Sequence, residues 1–519
     1  FLRGIYFTYF GTFSKMVDRN LYTFHTIRCI IEREALYMTN RTMHFMENPS
    51  SAKIAVIGLG ISNVPLIRFL GRLGAKEITV YDRSENQQIR AKLDSLLAGG
   101  TICKAVTGEG YLDEIGEAGY DVIFRAPAIR PDLPQLARAS ENGALLTSEM
   151  ELFFELCPCR IYGVTGSDGK TTTTTLIWKL LSTHYAGQRT KVWLGGNIGR
   201  PLIDHLSEIG PEDAVVLELS SFQLMTLRKS PNVAVITNIT PNHLDIHKDY
   251  NEYIEAKKNI YLYQKAGDTV VLNFQNEATR KIADACLSEG RQVRLFSAYF
   301  NDKSAFDERA QGCGYLCGGE LVFSSSLNSY SVNRRLLRVP GLFNAENLLT
   351  AIAACAGIVT QEDIESVASE FSGVEHRLEF VRELRGVKYY NSSIDSSPNR
   401  TIHTLSVFRE NVVLIAGGKD KNIPYDALGP AICGKVKTLI LVGPTSDKIE
   451  AAVRAADSSQ KDMIKIYHFK NYADAVKCAY ENSVPGDTVL LSPASTSFDL
   501  FRNFEERGDV FKSLVRALE

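Results

Sequence analysis

The sequence carries no surplus of charge: 58 Lys and Arg stand against 60 Asp and Glu, for a formal net charge of -2. That balance excludes a broad basic face for gripping nucleic-acid phosphates. Its 10 cysteines never fall into the two-plus-two spacing of a zinc site. Cys157-Pro158-Cys159 and Cys313/Cys317 are the close pairs, and the pattern reads as reduced thiols of a cytoplasmic protein. No apolar run approaches the roughly 20 residues that a bilayer-spanning helix needs. The opening stretch Phe1–Phe10 is aromatic but short and interrupted, and no small-residue cleavage site follows it. Internal repeats and low-complexity tracts are missing as well. An initiator Met is also missing, while Met16, Met38, Met43 and Met46 precede the first patterned strand. Residues 1–47 are therefore expected to be a leader, a disordered extension or mistranslated upstream sequence. What remains is an ordinary globular composition, 45% hydrophobic and 23% charged. The length of 519 residues suits about three domains.

What is present is a strand–helix rhythm in three blocks. The first, residues 48–150, opens with the apolar strand Lys53–Ile57, the glycine turn Gly58-Leu59-Gly60, a helix over Val64–Leu73 and a second strand ending in Asp82. Strand, glycine turn, helix, strand and acidic residue form the signature of a dinucleotide-binding fold, here with Asn63 at the third glycine position. The second block, residues 151–374, predicts strands at Ala214–Leu219, Val233–Thr237 and Thr269–Asn273. Helices are expected over Tyr250–Tyr263 and Ala345–Gly357. Short apolar runs alternating with helices imply a buried parallel sheet. The third block, residues 375–519, repeats the rhythm with strands at Val387–Tyr390, Val412–Ala416, Thr438–Val442 and Thr488–Leu491, and a closing helix over Ser497–Ala517. The expected fold is α/β in three domains: an N-terminal Rossmann-like domain, a central P-loop ATPase-like parallel sheet and a C-terminal Rossmann-like domain.

The densest chemistry lies in Gly163-Val164-Thr165-Gly166-Ser167-Asp168-Gly169-Lys170-Thr171-Thr172. A strand, a glycine turn and a helix start converge there, which points amides and a positive helix end at one spot suited to phosphate. Lys170 places a point charge on the terminal phosphates, and the Thr171 hydroxyl is a candidate magnesium ligand. The spacing departs from G-x-x-x-x-G-K-[ST], because Val164 occupies the first glycine position. Glu218 follows the apolar run Ala214–Leu217, where a carboxylate can hold magnesium beside the phosphates. His243, in Asn238–Asp245, follows the next strand in the same way. Lys257 lies on the helix after it, and by spacing alone reads as a solvated lysine.

These segments, in this order, resemble the Mur ligase superfamily, which joins amino acids to carboxylates. The likeness covers nearly everything from Lys53 onward and rests on Gly195-Gly196-Asn197-Ile198-Gly199, Glu218–Leu224, Asn238–Asp245, Gly341–Asn347 and Phe371–Glu379. In the third block it also rests on Ala416–Lys421, Leu491–Asp499 and Phe501–Gly508, which look like the D-glutamate-adding members. The resemblance implies a ligase using ATP and two Mg2+ ions, with UDP-N-acetylmuramoyl-L-alanine and D-glutamate as substrates, through an acyl phosphate. It implies that Lys257 is carbamylated, so that a cation becomes an anionic metal ligand, and that Thr171, Glu218 and His243 are the other metal ligands. Gly166, Ser167, Asp168, Gly169, Lys170, Thr171 and Thr172 would bind ATP, with Asn344 and Asn347 on adenine and His376 and Arg377 completing the site. Gly58, Gly60, Ile61, Ser62, Asp82 and Arg83 would hold the UDP portion, and Asn197 would sit near substrate and metal. Lys421, Ser497 and Phe504 would bind D-glutamate. A cytoplasmic monomer, without nucleic-acid partner or membrane insertion, is expected.

The third block departs from the family pattern. Asn-Asp-Ser-Lys-Ala-Thr-Asn appears as Asn391-Ser392-Ser393-Ile394-Asp395-Ser396-Ser397, so Ser392 replaces an acid expected at ATP and Ile394 a lysine expected near glutamate. Phe343 stands where His is common. The alternatives are a related ligase for another amino acid, of Mur or folylpolyglutamate type, and a nucleotide-binding homologue with impaired turnover. An oxidoreductase would explain Gly58, Gly60 and Asp82 but leave the Gly-Lys-Thr loop idle.

Overall fold

The computed structural model describes residues 40–243, 246–409, 412–421, 423–456 and 464–519. The chain divides into two compact units. One comprises the residues up to Tyr315 with Phe323–Ser329 and Thr350–Val359; the other comprises Leu316–Val322, Tyr330–Leu349 and Thr360–Glu519.

The first unit contains the N-terminal sheet, with strands β1 (Lys53–Ile57), β2 (Glu77–Asp82), β3 (Lys104–Thr107), β4 (Val122–Arg125) and β5 (Leu145–Thr147). They lie in the order β3-β2-β1-β4-β5 and all pair in parallel. The helix Asn63–Arg72 returns the chain from β1 to β2, burying Leu66, Ile67 and Leu70. Residues 40–47 are helical, and Phe45 is buried edge-on to Phe124 at 6.1 Å. The expected leader therefore does not extend through 40–47, which pack as part of this domain; residues 1–39 lie outside the described residues.

The central sheet follows with β6 (Arg160–Thr165), β7 (Val192–Gly196), β8 (Ala214–Glu218), β9 (Val233–Ile236), β10 (Thr269–Asn273), β11 (Gln292–Phe296) and β12 (Gly312–Cys317). These strands run β12-β11-β10-β9-β6-β8-β7, all parallel. β8, β9 and β10 are buried along their whole length, as their unbroken Val/Ile/Leu character demands of strands covered on both faces. Because β9 lies on one side of β6 and β8 on the other, the chain order switches at β6. Open parallel sheets bind ligands at the carboxyl ends of such a switch. Two further strands, β13 (Glu320–Ser325) and β14 (Ser329–Asn333), follow in the chain.

The second unit carries β15 (Glu379–Leu384), β16 (Val387–Asn391), β17 (Val412–Ala416), β18 (Val436–Val442), β19 (Lys465–Phe469) and β20 (Thr488–Leu491). Their order is β15-β16-β20-β17-β18-β19, parallel except for β15 against β16. The closing helix begins at Phe504, later than the expected Ser497. Asn503 caps it by accepting from the Glu506 amide, and Ser497 lies in the preceding turn, where its carbonyl accepts from Leu500 and Phe501.

Candidate active site

The phosphate-type loop leaves the carboxyl end of β6 and enters the helix Lys170–His184. Gly169 stands at its N-cap with φ 78°, and no side chain caps the helix, so its first turn retains the donors and positive potential that suit an anion. Gly166, at φ 154°, is sterically required: a Cβ there would lie 1.9 Å from Thr237 Oγ1. The amides of Ser167 and Asp168, expected to face phosphate, instead donate to the Asn238 carbonyl and Asn238 Oδ1, both at 2.9 Å. Thr237 Oγ1 also donates to the Asp168 carbonyl at 2.5 Å. The loop is thus tied to the end of β9, and the helix start keeps the positive potential that suits an anion. Lys170 Nζ folds back on the carbonyls of Gly166 and Ser167, at 3.0 and 2.9 Å. Thr171 is partly exposed and Thr172 buried in that first turn.

Glu218 closes β8 and is 2% exposed. Its Oε1 accepts from Asn197 Nδ2 at 2.8 Å, whereas Oε2 is buried without a hydrogen-bond partner among the described residues. A carboxylate oxygen left so is costly unless a cation meets it, which fits a resident Mg2+ at this strand end. Asn197 is fixed by its own amide on the Glu218 carbonyl, at 2.8 Å. The approach is permitted by Gly196, where a Cβ would lie 2.1 Å from that oxygen.

Lys257 is not a solvated lysine. It is 1% exposed, with Nζ donating to Gly166 O at 2.8 Å and Thr165 Oγ1 at 3.2 Å, above the Tyr253 ring at 4.6 Å. Desolvation first, and then the neighbouring Lys170 charge, hold its ammonium well below the ordinary lysine range, against the opposing pull of Asp168 and Glu218. The helix period could not show this, because burial here comes from the loop folding over the helix. His243 is exposed, in a left-handed conformation at φ 55°, its ring edge-on to Phe222 at 5.3 Å.

Beneath these groups lies a polar and aromatic support that the motifs alone did not reveal. Tyr253 Oη meets Ser167 Oγ at 3.0 Å. His247 is buried, stacked on Phe222 at 5.2 Å, with Nε2 2.9 Å from Ser221 Oγ. Burial chiefly lowers its pKa, favouring the neutral imidazole. Arg130, in the loop after β4, donates to both Glu252 oxygens (3.1 and 2.9 Å), to both Asp132 oxygens (2.8 and 2.9 Å) and to Ile246 O at 2.6 Å. Burial opposes the Glu252 charge, but the Arg130 hydrogen bonds and the Lys248 amide hold its pKa below the usual range. A loop of the N-terminal sheet therefore fixes the start of the helix bearing Lys257.

In the N-terminal sheet, Asp82 accepts from the amides of Leu59 (2.7 Å) and Ser84 (2.8 Å), so it organises the glycine turn. Gly58 has φ 85°, Gly60 has open space beside it, Ile61 is 82% exposed, Ser62 precedes the helix and Arg83 is exposed. Asn63, the departure from the third glycine, is buried, and its Nδ2 binds the carbonyls of Ile57 (3.0 Å) and Gly58 (2.8 Å). It substitutes side-chain bonds for close packing.

In the second unit, the ends of β16, β17 and β20 assemble another cluster. His376, at φ 65° and 6% exposed, has Nδ1 3.3 Å from both Asn391 Nδ2 and Ser393 Oγ and lies edge-on to Phe504 at 5.8 Å. Gly508 makes room, since a Cβ there would sit 2.3 Å from His376 Nδ1. Arg377 is half-buried, Ser497 is buried and Lys421 is exposed. Asn344 is buried with Nδ2 on Pro340 O at 2.6 Å, and Asn347 is buried on the same helix, Leu342–Cys355. Ser392 is fully buried, its Oγ accepting from the Leu378 amide at 3.3 Å. Asp395 turns into the fold, where Oδ2 accepts from Thr404 Oγ1 and Ser492 Oγ, both at 2.8 Å. It therefore does not stand in at the surface for the acid missing at Ser392.

The description "Mur ligase middle domain" matches residues 164–355, and "Mur ligase, glutamate ligase domain" matches residues 376–495. The chain belongs to the Mur ligase family. A UDP-N-acetylmuramoylalanine--D-glutamate ligase of Ruminiclostridium cellulolyticum is 47% identical over 485 residues, covering 93% of this chain and 100% of the relative. The protein of the same name from Acetivibrio thermocellus is 48% identical over 485 residues, with the same coverage. Among solved structures, MurF from Acinetobacter baumannii superimposes with a TM-score of 0.53 at 15% identity, covering 90% of this chain and 92% of that one; this likeness bears on the fold. Among the described residues, no helix is long and apolar enough to cross a membrane.

Proposed function

We propose that this chain is an ATP-dependent ligase that adds D-glutamate to UDP-N-acetylmuramoyl-L-alanine, a step of peptidoglycan precursor synthesis, as a cytoplasmic monomer. Its three sheets serve as a nucleotide-sugar domain (48–150), an ATP domain (151–374) and a D-glutamate domain (375–519). The observation that carries the reading is the convergence, at the ends of β6, β8 and β9, of an uncapped helix start, a carboxylate with an orphan buried oxygen and a buried amine. The relatives sharing 47–48% identity over their whole length support the choice of substrates.

In this reading the alanyl carboxylate attacks the γ-phosphorus of ATP, ADP leaves, and an acyl phosphate forms. The amine of D-glutamate then attacks the acyl carbon and inorganic phosphate departs, leaving the amide. Lys170 and the first-turn amides stabilise charge on the transferring phosphoryl group. Lys257, with its ammonium disfavoured, offers a neutral amine whose attack on CO2 gives a carbamate and releases a proton. Thr171, Glu218, His243 and that carbamate would hold two Mg2+ ions, whose chemistry when bound is to screen triphosphate from carboxylate. Asn197 orients Glu218. Gly58, Gly60, Ile61, Ser62, Asp82 and Arg83 would take the UDP portion, Asn344, Asn347, His376 and Arg377 the nucleotide of ATP, and Lys421, Ser497 and Phe504 the D-glutamate.

A phosphate-release assay tests the substrates directly. With UDP-N-acetylmuramoyl-L-alanine and Mg-ATP present, D-glutamate is expected to support turnover at least about 100-fold better than L-glutamate, L-alanine or a diamino acid. Equal turnover with another of these amino acids would assign a different member of the family.

A further inference from the structure

Cys157-Pro158-Cys159 lies outside the machinery described above, between the helix Glu149–Leu156 and β6. Cys157 is extended (φ -64°, ψ 121°), its amide on Phe153 O, and Pro158 fixes the next φ. Residues two apart in extended chain point to the same side. The two Sγ atoms accordingly lie 3.8 Å apart, in van der Waals contact, and both residues are half-buried. By contrast, Cys286, Cys313, Cys355 and Cys478 are buried. The hydrogen bond shared by the two thiols lowers the Cys157 pKa; burial opposes this and Lys229 reinforces it, while the Cys159 pKa is raised.

We propose that Cys157 and Cys159 are a redox-active dithiol, closed to an intrachain disulfide by a small-molecule disulfide of the glutathione class. The Cys157 thiolate attacks one sulfur of that disulfide, whose S–S bond breaks and expels one small thiolate. Cys159, giving its proton to solvent, then attacks the Cys157 sulfur of the mixed disulfide and expels the second. Two protein thiols are oxidised and one small disulfide is reduced to two thiols. Closure needs the sulfurs to approach from contact to about 2.05 Å. So short a loop removes little chain entropy, so the bond is a redox-responsive group and not a structural staple.

The test uses the full chain, reduced and then incubated with oxidised glutathione, acid-quenched, alkylated with N-ethylmaleimide and digested with trypsin. The tryptic peptide Ala139–Arg160 contains Cys157 and Cys159 and no other cysteine. It is expected to appear two hydrogens lighter and unalkylated, formed at least about tenfold faster than exposed Cys317 is glutathionylated. Cys159→Ser should accumulate the mixed disulfide at Cys157, and Cys157→Ser should slow reaction at the peptide at least about tenfold. The proposal is overturned if the wild-type peptide stays doubly alkylated while Cys317 is modified, or if it accumulates a mixed disulfide that never closes. The wild-type mapping decides this without the variants.

Discussion

At the scale of single residues, the site turns on groups whose burial contradicts their chemistry. Lys257 and Glu218 are charged by habit, yet are 1% and 2% exposed. The motifs made both residues legible as candidates, since Glu218 ends an apolar run. Neither the submergence of Lys257 nor the orphan Oε2 of Glu218 was legible, because both depend on segments distant in sequence. If Lys257 acts as a carbamate, Lys257→Ala should lower kcat at least about 1000-fold, and millimolar acetate or formate should restore part of it. A variant with near-wild-type kcat would remove the carbamate from the account. A second consequence is thermodynamic. The folded-state pKa of Lys257 is depressed, so between that value and the unfolded value of about 10.4 the unfolded chain binds more protons. This residue's contribution to stability therefore rises with pH across that window. Thermal unfolding in CO2-depleted buffer should show a flatter rise from pH 7 to pH 9 in Lys257→Met than in the parent; parallel curves would contradict the burial assignment. Asp395 behaves oppositely, burial raising its pKa against its hydroxyl donors, so its contribution falls as pH climbs from the ordinary carboxylate range through the raised value.

At the scale of elements, strands were the most legible feature. Thr269–Asn273, Val412–Ala416 and Thr488–Leu491 fall where the apolar runs place them. Helix ends were less so, because Ser497–Arg502 has helical composition but Asn503 supplies the cap. Hydrogen bonding between elements was invisible in spacing, and the Arg130 fork onto Glu252 is the clearest case. It joins a loop of the N-terminal sheet to the helix Tyr250–Leu262, with both side chains 22% exposed. Arg130→Ala leaves the Glu252 carboxylate without its fork partner and frees Ile246 O, so it should cost about 1–3 kcal/mol of stability. Because the disturbed helix carries Lys257, kcat should fall about 10-fold or more with smaller change in KM for ATP. Arg130→Lys should recover little, lacking the planar fork. Unchanged stability and kcat in Arg130→Ala would show that the fork is incidental.

At the scale of the whole molecule, three parallel or mostly parallel sheets follow the three blocks of strand–helix rhythm, and the Mur ligase family membership agrees with the motifs. The division into two compact units, with the residues from 316 to 360 alternating between them, had no signature in composition. Leu316–Val322 and Tyr330–Leu349 precede the third block in sequence yet cluster with it. The central claim is that ATP activates a carboxylate at the start of the helix Lys170–His184. Isotope transfer tests it most directly, using UDP-N-acetylmuramoyl-L-alanine labelled with 18O in its alanyl carboxylate, D-glutamate and Mg-ATP. The account predicts one labelled oxygen in the phosphate released for each amide formed; amide formation with unlabelled phosphate would contradict it.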